Sequence, residues 1–209
     1  MPVRVATVRA ADVPATQTDF PFYVDLGRVG ATALTLADAQ SSRWYTDTDL
    51  VTQMAREIVS LTEGHGKYAS LTSTSKIAID YDGIRADYAV GDTFGRNNVW
   101  SAYRGIYHLD GVTDSFGSND LVNTNSITFP AGKIGNAASA GSSNTNKKLS
   151  VASNLSVGSG DLTYSYWFRN DGTDREFDAM FEFRTGHYDY VSLRNGNNNR
   201  WWGAFGGNI

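Results

Sequence analysis

Apolar and polar residues alternate along this chain in short runs. That is the two-residue period of half-buried strands rather than the 3.6-residue period of helices. Val3-Arg4-Val5-Ala6-Thr7-Val8 alternates at the start, and Phe20-Pro21-Phe22-Tyr23-Val24-Asp25-Leu26 is aromatic and β-branched. Residues 68–73 and 76–81 alternate again, the second run closed by the turn pair Asp82-Gly83. Leu162-Thr163-Tyr164-Ser165-Tyr166-Trp167-Phe168-Arg169 is the clearest strand pattern and stops at Asn170-Asp171-Gly172. Met180-Phe181-Glu182-Phe183-Arg184 and residues 188–194 follow. Asn195-Gly196 then leads through an Asn run to the hairpin arm Arg200-Trp201-Trp202-Gly203-Ala204-Phe205. Helical spacing is confined to residues 32–40 and 49–60. Ala55-Arg56-Glu57-Ile58-Val59-Ser60-Leu61 also alternates, so a strand is expected there. Short strands separated by Gly, Asn and Asp predict an all-β protein built as antiparallel sandwiches.

Composition narrows the class. The chain has 209 residues, 41% apolar and 19% charged, which suits a folded chain with a real core. No apolar run approaches the ~20 residues of a bilayer helix, so membrane insertion is not expected. A net charge of -4 argues against a dedicated nucleic-acid partner. The absence of Cys removes disulfides, thiolate metal sites and thiol nucleophiles together. No apolar stretch of a secretory signal is visible in residues 1–10.

The turn-forming residues divide the chain. Residues 1–96 hold no Asn and 7 Gly, whereas residues 97–209 hold 15 Asn and 14 Gly, with little change in charge. Two domains with different loop habits are expected, 1–96 and 97–209. The aromatics flanking Asp92-Thr93-Phe94-Gly95-Arg96-Asn97-Asn98-Val99-Trp100 predict a packed junction.

A resemblance agrees with that division. Thr18-Asp19-Phe20-Pro21-Phe22-Tyr23-Val24-Asp25-Leu26, Ala55-Arg56-Glu57-Ile58-Val59, Ile77-Ala78-Ile79-Asp80-Tyr81-Asp82-Gly83 and residues 87–100 resemble the successive strands of an uncharacterised bacterial and phage domain family. That family precedes laminin-G-like, concanavalin-A-like jelly rolls. Ile106-Tyr107-His108-Leu109 resembles the first jelly-roll strand. Asp114-Ser115-Phe116-Gly117-Ser118-Asn119-Asp120 stands where such domains have a "D-S-S-G-N-x-N" loop, and Gly132-Lys133-Ile134-Gly135-Asn136-Ala137 is similar to their "G-K-I-G-x-A". Ala140-Gly141-Ser142 replaces the usual "F-D-G". The resemblance implies an N-terminal β-sandwich spacer or anchor, then a jelly roll short of its last strands at Ile209. Either the chain is a fragment, or another copy or partner chain supplies the missing edge.

Candidate chemistry is sparse. His65 lies in Glu63-Gly64-His65-Gly66, read as an exposed turn; His108 is read as a core or rim histidine, and His187 as a turn residue. No two His stand at metal-ligand spacing on a helix, and no nucleophile elbow, phosphate loop or paired-Glu glycosidase strand is present. Asp174-Arg175-Glu176-Phe177-Asp178 is read as a solvated hairpin flank. Asp114, Asn119 and Asp120 offer hard oxygens in one loop, the ligand type of a structural Ca²⁺, with simple Asx-turns as the alternative. Trp201 and Trp202 fall on opposite faces of a strand, so one is available for sugar stacking beside Asn198 and Arg200; packing against the missing strands or a partner chain is the alternative.

These readings lead to a non-enzymatic structural or adhesion module on a cell surface, outside the cell or in a virion, such as a phage tail, fibre or decoration component. Its expected partners are other copies, other virion or surface proteins, and glycans. The alternative is an accessory binding region of a longer secreted polysaccharide-active enzyme.

Overall fold

A computed structural model describes residues 2–7, 13, 15–29, 34–139, 141, 147–151 and 165–166, and the backbone of 178–182, 191–196 and 200–205. The described residues are mostly strands in antiparallel sheets with few helices, an all-β chain. They fall into two compact units, Met1–Gly160 and Asp161–Ile209. The 96/97 division expected from Asn and Gly usage falls inside the first unit.

In the first unit, β1 (Val3–Thr7), β7 (Lys76–Asp80), β3 (Arg43–Tyr45) and β4 (Gln53–Met54) form one sheet in that order. A second sheet has the order β2 (Gln17–Val24), β6 (Glu63–Leu71), β5 (Arg56–Ser60). The alternating runs at 68–73 and 76–81 belong to different sheets, joined by a turn in which Ser75 N donates to Thr72 O at 3.1 Å. Within the run 55–61, where a strand was expected, Arg56–Ser60 is strand. The helical spacing of 32–40 yields a short helix, α1 (Leu36–Ser41), closed by a capping box between Thr35 and Asp38.

The core draws on both sheets: Val24, Trp44, Met54, Tyr68, Leu71, Ile77 and Ile79, with Leu26 and Leu34 beside them. Phe22 of β2 stacks on Trp44 of β3, with ring centroids 6.1 Å apart, and lies 4.9 Å from Tyr68. Trp44 fits because β6 carries Gly64 and Gly66 opposite it. A Cβ on Gly66 would lie 2.5 Å from Phe22 Cζ and 2.9 Å from Trp44 Cε3. The indole Nε1 is satisfied by Ser42 Oγ at 2.9 Å. The strand period then sends Gly64, Gly66 and Tyr68 into the core and Glu63, His65 and Lys67 to the opposite face.

That opposite face is covered. Residues 92–100 pack against β5: Arg56 N donates to Phe94 O at 3.0 Å, and Val99 and Trp100 are buried. α2 (Arg96–Val99) leads into a second core of Ala55, Val99 and Trp100, with Ile106 and Phe116 against it. Residues 106–109, expected as a strand, are irregular. Their fixed points are side chains, Tyr107 Oη to Asn119 O at 2.7 Å and His108 to the sheet beneath. β8 (Leu121–Thr124) and β9 (Lys148–Val151) pair as a separate two-stranded sheet.

In the second unit β10 (Asp178–Glu182), β11 (Val191–Gly196) and β12 (Arg200–Phe205) form an antiparallel sheet in chain order. The β10–β11 register shifts between Ala179 and Phe181, a bulge at Met180. The hairpin expected from Asn195-Gly196 is present. The run 162–169 lies outside the described residues apart from 165 and 166, which are not strand.

Candidate functional site

The concentration of buried ionisable groups lies on the covered face of the β2–β6–β5 sheet. Register builds it. Tyr23 of β2 and Glu57 of β5 both stand opposite His65 of β6, so the three form one row across the sheet. Glu63, two residues before His65 on the same strand, shares its face. The segment after α2 supplies Trp100 and His108 from above.

The resulting contacts are dense. His108 Nε2 lies 2.9 Å from Glu57 Oε2, and His108 Nδ1 lies 2.9 Å from Glu63 Oε1. The same Glu63 oxygen is 3.2 Å from His65 Nε2. Trp100 Nε1 donates to Glu57 Oε2 at 2.6 Å. The imidazoles of His65 and His108 stack with centroids 5.1 Å apart, and Trp100 meets His65 edge-on, also at 5.1 Å. Side-chain exposure is 6% for each glutamate, 8% for His108 and 14% for His65. Glu63 Oε2 is buried and has no hydrogen-bond partner. Gly135 lies over it in the left-handed region, φ +55°, where a Cβ would collide with that oxygen. The turn holding Gly135 is closed by Gly132 N donating to Gly135 O at 2.8 Å.

Electrostatics follow from this geometry. Burial alone would disfavour a charged His108, but hydrogen bonds to Glu57 and Glu63 and their charges outweigh it and hold its pKa up at about 9. Burial would likewise raise the Glu63 carboxyl; the hydrogen bonds and charges of His108 and His65 prevail and bring it down to about 2. His108 is therefore an imidazolium held between two carboxylates at neutral pH. Glu63, His65 and His108 each offer one ligand atom, all within 4.8 Å of one another. The cluster can bind a proton tightly between its members or exchange that proton for a metal ion.

His65 corrects its sequence reading. It is not in an exposed turn but mid-strand on β6 and largely buried. Spacing on one helix could not reveal the cluster, because 43 residues separate His65 from His108. Two signals lay in Glu63-Gly64-His65-Gly66-Lys67: the strand period of its polar residues, and glycines at the alternate positions.

Of the expected site residues, Asp114, Asn119 and Asp120 share one loop. Asp114 is 4% exposed, and its carboxylate faces the chain's own N–H groups. Oδ1 accepts from Ile106 N at 3.0 Å and Phe116 N at 3.1 Å, and Oδ2 accepts from Asn119 N at 3.2 Å. Asn119 Nδ2 donates to Arg104 O at 3.0 Å, and Asp120 Oδ1 accepts from Asp114 N at 2.9 Å. The three residues therefore do come together, around a hub of Asx-type turns. Burial would raise the Asp114 carboxyl, but the backbone donors outweigh it and hold the carboxyl below its usual range. Arg200, Trp201 and Trp202 lie on β12 opposite Gly196, Asn195 and Arg194, with the two tryptophans at consecutive positions. Asn198, His187 and residues 174–177 lie outside the described residues.

Among the described residues, no helix is long and apolar enough to cross a membrane. Comparison with family models, with curated proteins and with solved structures finds no match.

Proposed function

We propose that the chain is a non-enzymatic structural and adhesion module of a surface or virion protein, built as consecutive antiparallel sandwiches, whose loops contact glycans or partner proteins. The observation that carries this reading is how the buried acids are used. Among the described residues the buried carboxylates are Glu57, Glu63, Asp80 and Asp114. Glu57 and Glu63 grip His108, Asp80 pairs with Arg85 at 2.9 Å, and Asp114 takes backbone N–H groups. Buried Arg56 is likewise bound, to Asp87 at 2.7 Å and to the carbonyls of Gln40 and Ser42. A general acid or base must face a cleft where substrate can reach it. These groups instead tie segments of chain together.

Contact surface is present alongside that cohesion. β1 and β2 are edge strands of their sheets, and Val3, Val5, Phe20 and Tyr23 on them are exposed. Trp201 and Trp202 stand at consecutive positions of β12, and aromatic side chains of this kind are what sugars stack on. Glycan-array binding by the purified 209-residue chain, run beside a reducing-sugar assay on the same polysaccharides, tests the reading. Binding without turnover is expected, reduced at least tenfold by Trp201→Ala or Trp202→Ala. Turnover of any polysaccharide would overturn it.

A further inference from the structure

We propose that Glu63, His65 and His108 form a closed zinc site that fastens the segment after α2 onto the β2–β6–β5 sheet, with Glu57 positioning His108. This goes beyond the adhesion reading and does not depend on it. Ligand spacing fits an ion. Zinc bonds of about 2.0 Å at tetrahedral angles put neighbouring ligand atoms roughly 3.3 Å apart. Glu63 Oε1 stands 3.2 Å from His65 Nε2 and 2.9 Å from His108 Nδ1, so a modest outward shift of the His108 ring admits an ion where a proton now bridges.

The layer outside the ligands fits as well. A metal-bound imidazole usually donates its other N–H to a carboxylate, which fixes the ring and its tautomer. His108 Nε2 already makes that bond to Glu57 Oε2, and Glu57 is itself anchored by the Trp100 indole. Glu63 Oε2 is a buried acceptor with no donor, an arrangement that costs free energy unless something positive meets it. A carboxylate binding zinc through both oxygens answers that need and supplies a fourth ligand atom from the protein.

Donor chemistry selects the metal. Two imidazoles and one carboxylate suit zinc, whereas Ca²⁺ and Mg²⁺ require more oxygens. The site is closed, roofed by Gly135 and walled by Trp100, and structural zinc sites are closed. Its role is therefore cohesion: two ligands on β6 and one on the covering segment make the ion a cross-link over a stretch of chain without Cys.

Untagged full-length chain, stripped with chelator and dialysed against zinc chloride, should take up one equivalent by elemental analysis. Its melting temperature should rise on the order of 5–10 °C at about a hundred times the dissociation constant. Calcium should produce no such rise. His65→Gln should abolish uptake, and Glu57→Gln should weaken it about 10–100-fold. Co²⁺ in place of zinc should give the intense visible bands of a four-coordinate ion. No zinc uptake by the wild type, or an equal response in wild type and His65→Gln, would overturn the proposal. Should His65→Gln fail to fold, the Co²⁺ spectrum of the wild type decides: six-coordinate bands or none would overturn it.

Discussion

Asp114 gives both carboxylate oxygens to backbone N–H groups from Ile106, Phe116 and Asn119, and so holds a loop that has no strand to support it. Hydrogen bonds to a buried charged acceptor contribute about 1.5–3 kcal/mol. Asp114→Asn, which keeps the shape and loses the charge, should therefore cost on the order of 1–3 kcal/mol, read as a lower midpoint in urea with unchanged slope. The carboxyl's folded pKa lies below its unfolded value near 4. Its contribution is complete above that unfolded value and fades as pH falls toward the folded one. The gap in stability between wild type and Asp114→Asn should therefore narrow as pH falls below about 4; a constant gap would show that the charge is not what matters. Gly66 tests packing in the same way. A methyl there meets Phe22 and Trp44 at 2.5 and 2.9 Å. Gly66→Ala should cost about 1–3 kcal/mol through overpacking. A neutral result would mean that Trp44 has room to move.

Strands follow from alternation only where side chains announce it. β2 and β7 were legible because Phe22, Val24, Ile77 and Ile79 mark their inner positions, and β1 because it alternates, although its valines are the exposed ones. The inner positions of β6 are glycines, left small to admit Trp44, so Glu-Gly-His-Gly reads as a turn although it is the middle of a sheet. The irregular segment 106–109 misleads in the opposite sense. Ile106 and His108 look like one face of a strand, yet they are held by a core contact and an ion pair rather than by a ladder. Candidate chemistry was hidden for the same reason: its members meet across strands and loops, and no local spacing encodes that meeting. The covering segment should thus depend on a few side chains. Trp100→Phe keeps the ring and deletes the donor to Glu57. It should cost about 1.5–3 kcal/mol and speed amide exchange at Ser115, whose N–H bonds Ile106 O across the loop. Unchanged exchange at Ser115 would show that the segment is held elsewhere.

At the scale of the molecule, composition and contacts draw different lines. The Asn and Gly content changes after residue 96, whereas the first compact unit runs to Gly160. Packing argues for the later line. Cutting at residue 96 would remove Val99, Trp100 and Phe116 from the second core and leave Glu57 and Glu63 without the imidazolium between them. Removing one partner of a buried ion pair costs about 3–5 kcal/mol. Whole domains have only about 5–15 kcal/mol in hand. A fragment of residues 1–160 should therefore melt cooperatively, with dispersed amide resonances matching those of the full chain over residues 2–139. A fragment of residues 1–96 should lose near-ultraviolet circular dichroism from Trp44 and melt at least 10 °C lower, by roughly 2–4 °C per kcal/mol lost. Equal melting temperatures for the two fragments would place the folding boundary at the composition change and reduce the histidine–glutamate cluster to a contact between separately stable parts. Unequal ones would make residues 97–116 part of the N-terminal fold, with His108 the fastening that joins them.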